Sequence, residues 1–257
     1  MLFSEKDITV VMTTYNNNDF TKASVWSIKK YYPELRVILT DGGSTNENYL
    51  NLIELTKEIP NVELVQYYGG ATEDCRNIGA RIVNTEFILF MDNDTKFLDI
   101  SVIPIMLDVM KDDNIAETGV YAIKIVDEKA MKSYVGNIFT DYMEVDGFSA
   151  YCALHRKKYF DEIGGMPKEH MYDFPKEILS KRVHNGYSGD YAISRHYKEK
   201  GYKMITPKER VPVIHWGQAY RWNRTVEEFE KWFYENAQHI RCNPLNNWKE
   251  IEYGGKK

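Results

Sequence analysis

The chain has 257 residues, with 33 Lys+Arg against 38 Asp+Glu and a formal net charge of −5. That length makes one large domain or two small ones, able to bury roughly three quarters of the surface its unfolded form exposes. A hydrophobic share of 43% with 28% charged residues excludes a disordered or fibrous chain, and the acidic balance argues against a dedicated nucleic-acid binder. The charge is uneven: residues 1–194 sum to −10 and residues 195–257 to +5, an acidic body with a basic tail. Cys75, Cys152 and Cys242 have neither metal-type nor disulfide spacing and read as buried small hydrophobes in a reducing compartment. There is no leader-type pattern at the start and no apolar run near the ~18 residues of a membrane span. The expectation is a cytoplasmic protein without a transmembrane segment, its oligomeric state unspecified.

In chain order, Ile8–Met12 is a short β-branched strand ending in the polar run Thr13–Asn18. Asp19 caps a helix from Phe20 to about Tyr31, stopped by Pro33. A second strand, Leu35–Leu39, ends in Asp41-Gly42-Gly43-Ser44. A helix over Tyr49–Glu58, a strand over Val62–Gln66, a helix over Thr72–Val83 and a strand over Phe87–Met91 follow. This alternation predicts a parallel, doubly wound α/β sheet, in which ligands bind beyond the carboxyl ends of the strands. The clusters Thr13–Asn18, Asp41–Ser44 and Asp92–Asp94 sit at those ends.

The second half is less regular. Gly119–Val126 and Phe148–Leu154 read as strands, Tyr134–Phe139 as a weaker one, and Asp190–Lys200 and Val226–Gln238 as helices. The last has a capping box, Thr225 with Glu228, and an apolar stripe of Val226, Phe229, Trp232 and Phe233. Residues 167–189 read as a long loop or lid. With no repeat and no Pro/Gly-rich linker, the division expected is one domain: 1–97 binding nucleotide, 98–225 binding acceptor and carrying catalysis, and a helical tail over 226–257.

Asp92-Asn93-Asp94 is the sharpest chemical feature. Two carboxylates two residues apart, directly after a buried strand, repel one another unless a cation neutralises them. Hard oxygen ligands suit Mg2+ or Mn2+. The same three residues are also good turn chemistry, and both readings stay open on this triplet alone.

Four segments together resemble family 2 glycosyltransferases of the GT-A fold. They are Val10 to Asn16 with its T-Y-N ending, Asp41-Gly42-Gly43-Ser44-Thr45, Arg76-Asn77-Ile78-Gly79-Ala80, and Glu86 to Asp94. Looser matches follow at Arg156–Phe160 with Ile163-Gly164-Gly165-Met166, at Asp190 with Ile193 and Ser194, at Gly201-Tyr202, and at Val213-Ile214-His215. The resemblance implies a Rossmann-like, mostly parallel sheet flanked by helices and transfer of a sugar from a nucleoside diphosphate, most often UDP, to an acceptor hydroxyl with inversion. It implies that Thr13, Tyr15 and Asp41 hold the base, that Arg76 and Asn77 reach the nucleotide, and that Asp92 touches ribose or metal. Asp94 and His215 would complete a Mn2+ or Mg2+ site, Gly164, Gly165 and Met166 would line donor sugar and acceptor, and Asp190 would be the catalytic base.

Bland readings stand beside these. Thr13 and Tyr15 also serve as strand-end caps, Arg76 also pairs with Glu73 or Asp74 on a surface, and a lone histidine after a strand is more often structural. The glutamate usual before the base is Gly189 here, and Ala192 stands two positions after it, so Asp173 or Glu177 are substitutes. In the tail, Trp216, Arg221 and Trp222 suit a sugar ring and a diphosphate. Aromatics among cations also suit single-stranded nucleic acid, which keeps a nucleic-acid acceptor open beside a glycan. Two rival functions remain: a binding protein that keeps the fold without catalysis, and a sugar-nucleotide pyrophosphorylase. The latter is disfavoured by the lack of a Gly-rich, Lys/Arg-bearing loop after the first strand.

Overall fold

The computed structural model describes residues 2–68, 72–127, 130–135, 141–167, 188–216, 225–228, 231 and 251–253. Four parallel strands form its centre: β1 (Ile8–Thr14), β2 (Arg36–Asp41), β3 (Val62–Gln66) and β4 (Phe87–Asp92). β1 lies between β2 and β4, with Val11 opposite both Ile38 and Phe90. Its run from Ile8 to Met12 is buried throughout, as expected for a strand covered on both faces.

Helices α1 (Asn18–Tyr31), α2 (Asn46–Glu58) and α3 (Thr72–Arg81) connect these strands. The helix expected to start after Asp19 begins earlier, with Asn17 at its N-cap. The second also begins earlier, because Thr45 caps it by accepting from the Asn48 N–H. The fourth strand leads through a short β5 (Thr95–Phe97) into α4 (Val102–Val109) and β6 (Ile115–Gly119).

Beyond β6 come β7 (Tyr121–Asp127), β8 (Ala130–Val135), β9 (Gly147–Phe148), β10 (Cys152–Arg156), α5 (Lys157–Glu162), α6 (Ser188–Glu199), β11 (Lys203–Met204), β12 (Val213–His215) and β13 (Ile251–Tyr253). The main sheet has seven strands in the order β11-β6-β10-β4-β1-β2-β3. The sheet is mostly parallel, as expected, and its one reversed strand among the described residues is β10, which runs antiparallel to both β4 and β6. The strand expected over Phe148–Leu154 is two strands in different sheets: β9 pairs with β7, and β10 joins the main sheet. Of the weak strand at Tyr134–Phe139, residues 134 and 135 end β8 and the rest lies outside the described residues.

Alternate strand residues feed two cores. Val10, Met12, Leu39, Leu89 and Met91 pack with Val25 and Ile28 of α1, Leu52 of α2 and Met106 of α4. Val11, Ile38, Ile88 and Phe90 pack on the other face with Ala80, Phe160, Ile193 and Tyr197. Each such aliphatic or aromatic side chain contributes about 1.5–3 kcal/mol by leaving water. Helix α3 approaches the sheet closely: a Cβ on Gly79 would lie 2.5 Å from Val11 Cγ1 and 2.9 Å from Thr40 Cγ2. That approach puts Arg76 at the sheet's rim.

In the tail, residues 226–228 and 231 are helical. The expected capping box is formed, with the Glu228 N–H donating to Thr225 Oγ1 at 3.2 Å and the Thr225 N–H to Glu228 Oε2 at 2.9 Å. The remainder of that helix, and residues 168–187 of the expected lid, lie outside the described residues. Among the described residues no helix is long and apolar enough to cross a membrane.

Candidate active site

The carboxyl end of β4 delivers Asp92, a two-residue turn delivers Asp94, and β5 then pairs with β12, which sets His215 opposite Thr95. His215 Nε2 lies 3.0 Å from Asp94 Oδ1 and 3.7 Å from Asp92 Oδ2. One ligand atom from each of the three residues falls within 4.8 Å of the others. The ring of His215 stacks on Tyr151, centroids 4.3 Å apart and planes 9° from parallel. The Tyr151 carbonyl accepts from the Asp92 N–H and the Thr95 hydroxyl, while the Trp216 N–H donates to the Asp94 carbonyl. Two carboxylates and an imidazole offer hard oxygens and one borderline nitrogen. The residues present fit a divalent cation.

Behind this cluster lies a buried ion-pair chain. Arg76, only 4% exposed, donates from Nη2 to Asp92 Oδ1 and from Nη1 to Asp190 Oδ1, both at 2.7 Å. Burial works against the guanidinium's charge, and the carboxylates of Asp190 and Asp92 more than offset it. The guanidinium thus bridges two carboxylates of the site, with Glu73 adding to the negative charge around it. Asp190 lies in the first turn of α6. Its Oδ2 accepts from the Ala150 N–H at 3.0 Å and the Ser149 hydroxyl at 3.3 Å. Burial pushes the Asp190 carboxyl above the ordinary carboxylate range, and Arg76 and the Ala150 N–H pull it back.

At the ends of β1 and β2, Tyr15 is 63% exposed and Thr13 half-buried. Asp41 is fully buried and closes its own turn: Oδ2 accepts from the N–H groups of Gly43 and Ser44, and Oδ1 from the Ser44 hydroxyl. Its carboxylate therefore shapes the loop. Asn16 adopts φ 49°; its amide oxygen accepts from the Thr45 N–H and its N–H donates to Ser44 Oγ, lacing the two loops together.

Asn77 is likewise engaged. Its side-chain amide makes two 2.8 Å hydrogen bonds with the backbone of Met166. Gly165 has φ +87°, and a Cβ there would lie 2.6 Å from Asn77 Oδ1. The Met166 side chain is buried in the second core, whereas Gly164 is exposed. Trp216 is also interior: it meets Phe20 edge-on at 5.3 Å, with Lys96 Nζ 6.0 Å above its ring. Arg221 and Trp222 lie outside the described residues, as do Asp173 and Glu177.

Sequence reasoning missed Tyr151, Ser149 and Ala150. They lie in a break between strands that reads as one continuous apolar run, so no turn signal marks them. Residue spacing does not single out His155 either. The ring is fully buried beside Glu117 and Tyr197, and burial, then Arg76, lowers its pKa to about 3.

The strand ends of a mostly parallel sheet thus gather two carboxylates, an imidazole and a buried Arg–Asp pair, and the sheet with its flanking helices is of the GT-A type. Residues 9–164 match the sequence profile described as "Glycosyl transferase family 2", and the chain belongs to that family. Among solved structures, it resembles a mannosyltransferase from Pyrobaculum calidifontis in complex with GDP-Man and Mn2+, at 15% identity and TM-score 0.60, over 92% of this chain and 62% of that one. It also resembles residues 1–349 of S. aureus TarS in complex with UDP-GlcNAc, at 15% identity and TM-score 0.55, over 80% of this chain and 57% of the other. The chain thus spans about three fifths of the length of these structures. No curated protein matches it in sequence.

Proposed function

We propose that the protein transfers a sugar from a nucleoside-diphosphate donor to an acceptor hydroxyl with inversion, using Mn2+ or Mg2+ held by Asp92, Asp94 and His215. The observation that carries this reading is the convergence of those three side chains at the mouth of the sheet, with Asp190 linked to Asp92 through Arg76. A bound divalent cation supplies charge neutralisation for the diphosphate leaving group.

The remaining work belongs to the chain. Asp190 takes the proton of the acceptor hydroxyl, a task that the basicity it gains from burial favours. A carboxylate offers about four acceptor sites, so the three donors on Asp190 leave room for the hydroxyl. Arg76 keeps the base anionic and fixes its direction. The Asp41 and Asn16 loops shape the nucleotide end, with exposed Tyr15 against the base. The Asn77–Met166 tie holds Gly164 and Gly165 where a sugar would pass. UDP is the first donor assigned, as the resemblance implies; GDP-linked sugars are the rival, given the mannosyltransferase neighbour. A glycan is the first acceptor, ahead of nucleic acid, and the polypeptide is assigned to the cytoplasm.

A second reading, a nucleotide-sugar-binding protein without turnover, draws on one observation: Arg76, Ala150 and Ser149 already engage both oxygens of Asp190. One assay separates the two. Protein with Mn2+ is incubated with radiolabelled UDP-, GDP- and dTDP-sugars, with and without acceptor mixtures. Transfer or donor hydrolysis that is lost in Asp190→Asn and in Asp94→Ala supports the transferase. Metal-dependent binding without turnover under every condition supports the binding protein.

A further inference from the structure

Glu117 is a carboxyl that the proposed chemistry does not use, yet it lies one helical turn beneath Asp190. It sits on β6 and is 1% exposed. Its Oε2 is 2.7 Å from Ser194 Oγ, and Ser194 Oγ is in turn 3.2 Å from the carbonyl oxygen of Asp190. We propose that Glu117 is a positioning residue for Asp190, fixing the first turn of α6 through the hydroxyl of Ser194. The inference rests on Asp190 being the base.

The hydrogen count decides how the contact works. Ser194 has one hydroxyl hydrogen and two oxygens within reach. With Glu117 protonated, its O–H donates to Ser194 Oγ, and the Ser194 hydrogen passes on to the Asp190 carbonyl. Every member is then satisfied. With Glu117 ionised, Ser194 could serve only one acceptor, and a buried charge would lack a cation. Among the described residues, the groups facing it supply none. His155 Nε2 lies 3.6 Å from Oε1 on a ring whose pKa is lowered to about 3, first by burial and then by Arg76. Tyr197, 3.2 Å from His155 Nδ1, is kept neutral by burial, and Asp190 is itself an anion. Burial first, and then Asp190, raise the Glu117 carboxyl well above its usual range, against the pull of Ser194.

The arrangement is a neutral acid bracing the backbone of the base from below, while Arg76 and Ala150 hold its side chain from above. A glutamine at 117 keeps a donor for Ser194, whereas alanine at either position removes the brace. Displacement of a catalytic group by a fraction of an ångström to an ångström costs about ten- to a hundredfold in rate.

The test compares Glu117→Gln, Glu117→Ala and Ser194→Ala with wild type by steady-state kinetics and by amide hydrogen exchange over residues 190–194. Glu117→Gln should keep kcat and an unchanged pH profile, with wild-type exchange. Ser194→Ala and Glu117→Ala should lower kcat about tenfold at unchanged donor KM, with faster exchange in that turn. Wild-type kcat and exchange in Ser194→Ala, or a Glu117→Gln variant as impaired as Glu117→Ala, would overturn the proposal. If Glu117→Ala does not fold, Ser194→Ala and Glu117→Gln decide alone. A wild-type protein without turnover refutes the transferase reading instead, and the exchange rates still report whether Glu117 braces Asp190.

Discussion

Replacing Arg76 by methionine removes the cation shared by Asp92 and Asp190 while keeping much of the buried stem. Arg76 is 4% exposed and makes two charge-assisted hydrogen bonds of 2.7 Å. Deleting one partner of a buried pair leaves an uncompensated charge and costs about 3–5 kcal/mol. Asp190, being buried, contributes most of that loss; Asp92, with 30% of its side chain exposed, contributes less because water partly solvates it. Against a total stability of about 5–15 kcal/mol, the variant should fold but lose about 1–2 M in urea midpoint, at a slope of about 3 kcal/mol/M. Urea unfolding of wild type, Arg76→Met, Asp190→Asn and the double variant completes the cycle. The double variant should be more stable than additivity allows, because the neutral amide no longer needs the cation. In Arg76→Met the Asp190 carboxyl loses the partner that pulls its pKa down, so the acid limb of activity should move to higher pH. A loss below about 1 kcal/mol, the size of an exposed pair, or an additive cycle, would refute the buried-clamp account. A change confined to donor KM would return Arg76 to nucleotide contact.

Mn2+ at a hundred times its dissociation constant should stabilise the protein by about 2.7 kcal/mol, raising Tm by about 5–11 °C for a domain of this size; Asp94→Asn should abolish the shift in a thermal melt. Gly79→Ala should destabilise by about 1–3 kcal/mol despite alanine's better helix propensity, since its methyl would meet Val11 and Thr40; denaturant unfolding reads this, and a gain in stability would show that α3 can lift from the sheet. His155 has its folded pKa lowered from 6.5 to about 3, so the unfolded state binds the extra proton between those values. Its contribution is complete above about pH 6.5 and lost as pH falls toward 3. His155→Gln should therefore flatten the stability–pH slope in that window relative to wild type, and parallel slopes would refute it.

Much of the first half was legible because its strands are buried on both faces and its turns are polar. Val10 to Met12 and Phe87 to Met91 announce themselves as short apolar runs, and each ends in residues with chemistry. The second half resisted for physical reasons. Helix α4 is apolar on nearly every side, with Val102, Ile103, Met106, Leu107 and Val109 buried, so it shows no helical period. The reversal between Phe148 and Cys152 occurs within a run without glycine or proline, and so Tyr151 went unnoticed. At the site, the pattern brought out Asp92, Asp94, His215 and Asp190, which the fold gathers. It did not reveal that Asp41 closes its own turn or that Asn77 ties α3 to the backbone of Met166, because such hydrogen bonds leave no mark on residue spacing.

The antiparallel course of β10 has a consequence for how such a protein can change. A parallel strand offers the rim only its outgoing loop, which must also lead into the next helix. Strand β10 instead offers its incoming loop, Ser149 to Tyr151, which touches Asp190, Asp92 and His215 together. The first half of the chain and this single reversed entry are thus separate contributors to one mouth. The loop before β10 can lengthen or exchange residues without altering any crossover among β1 to β4, which leaves room for one wall of the mouth to change while the other stays as it is.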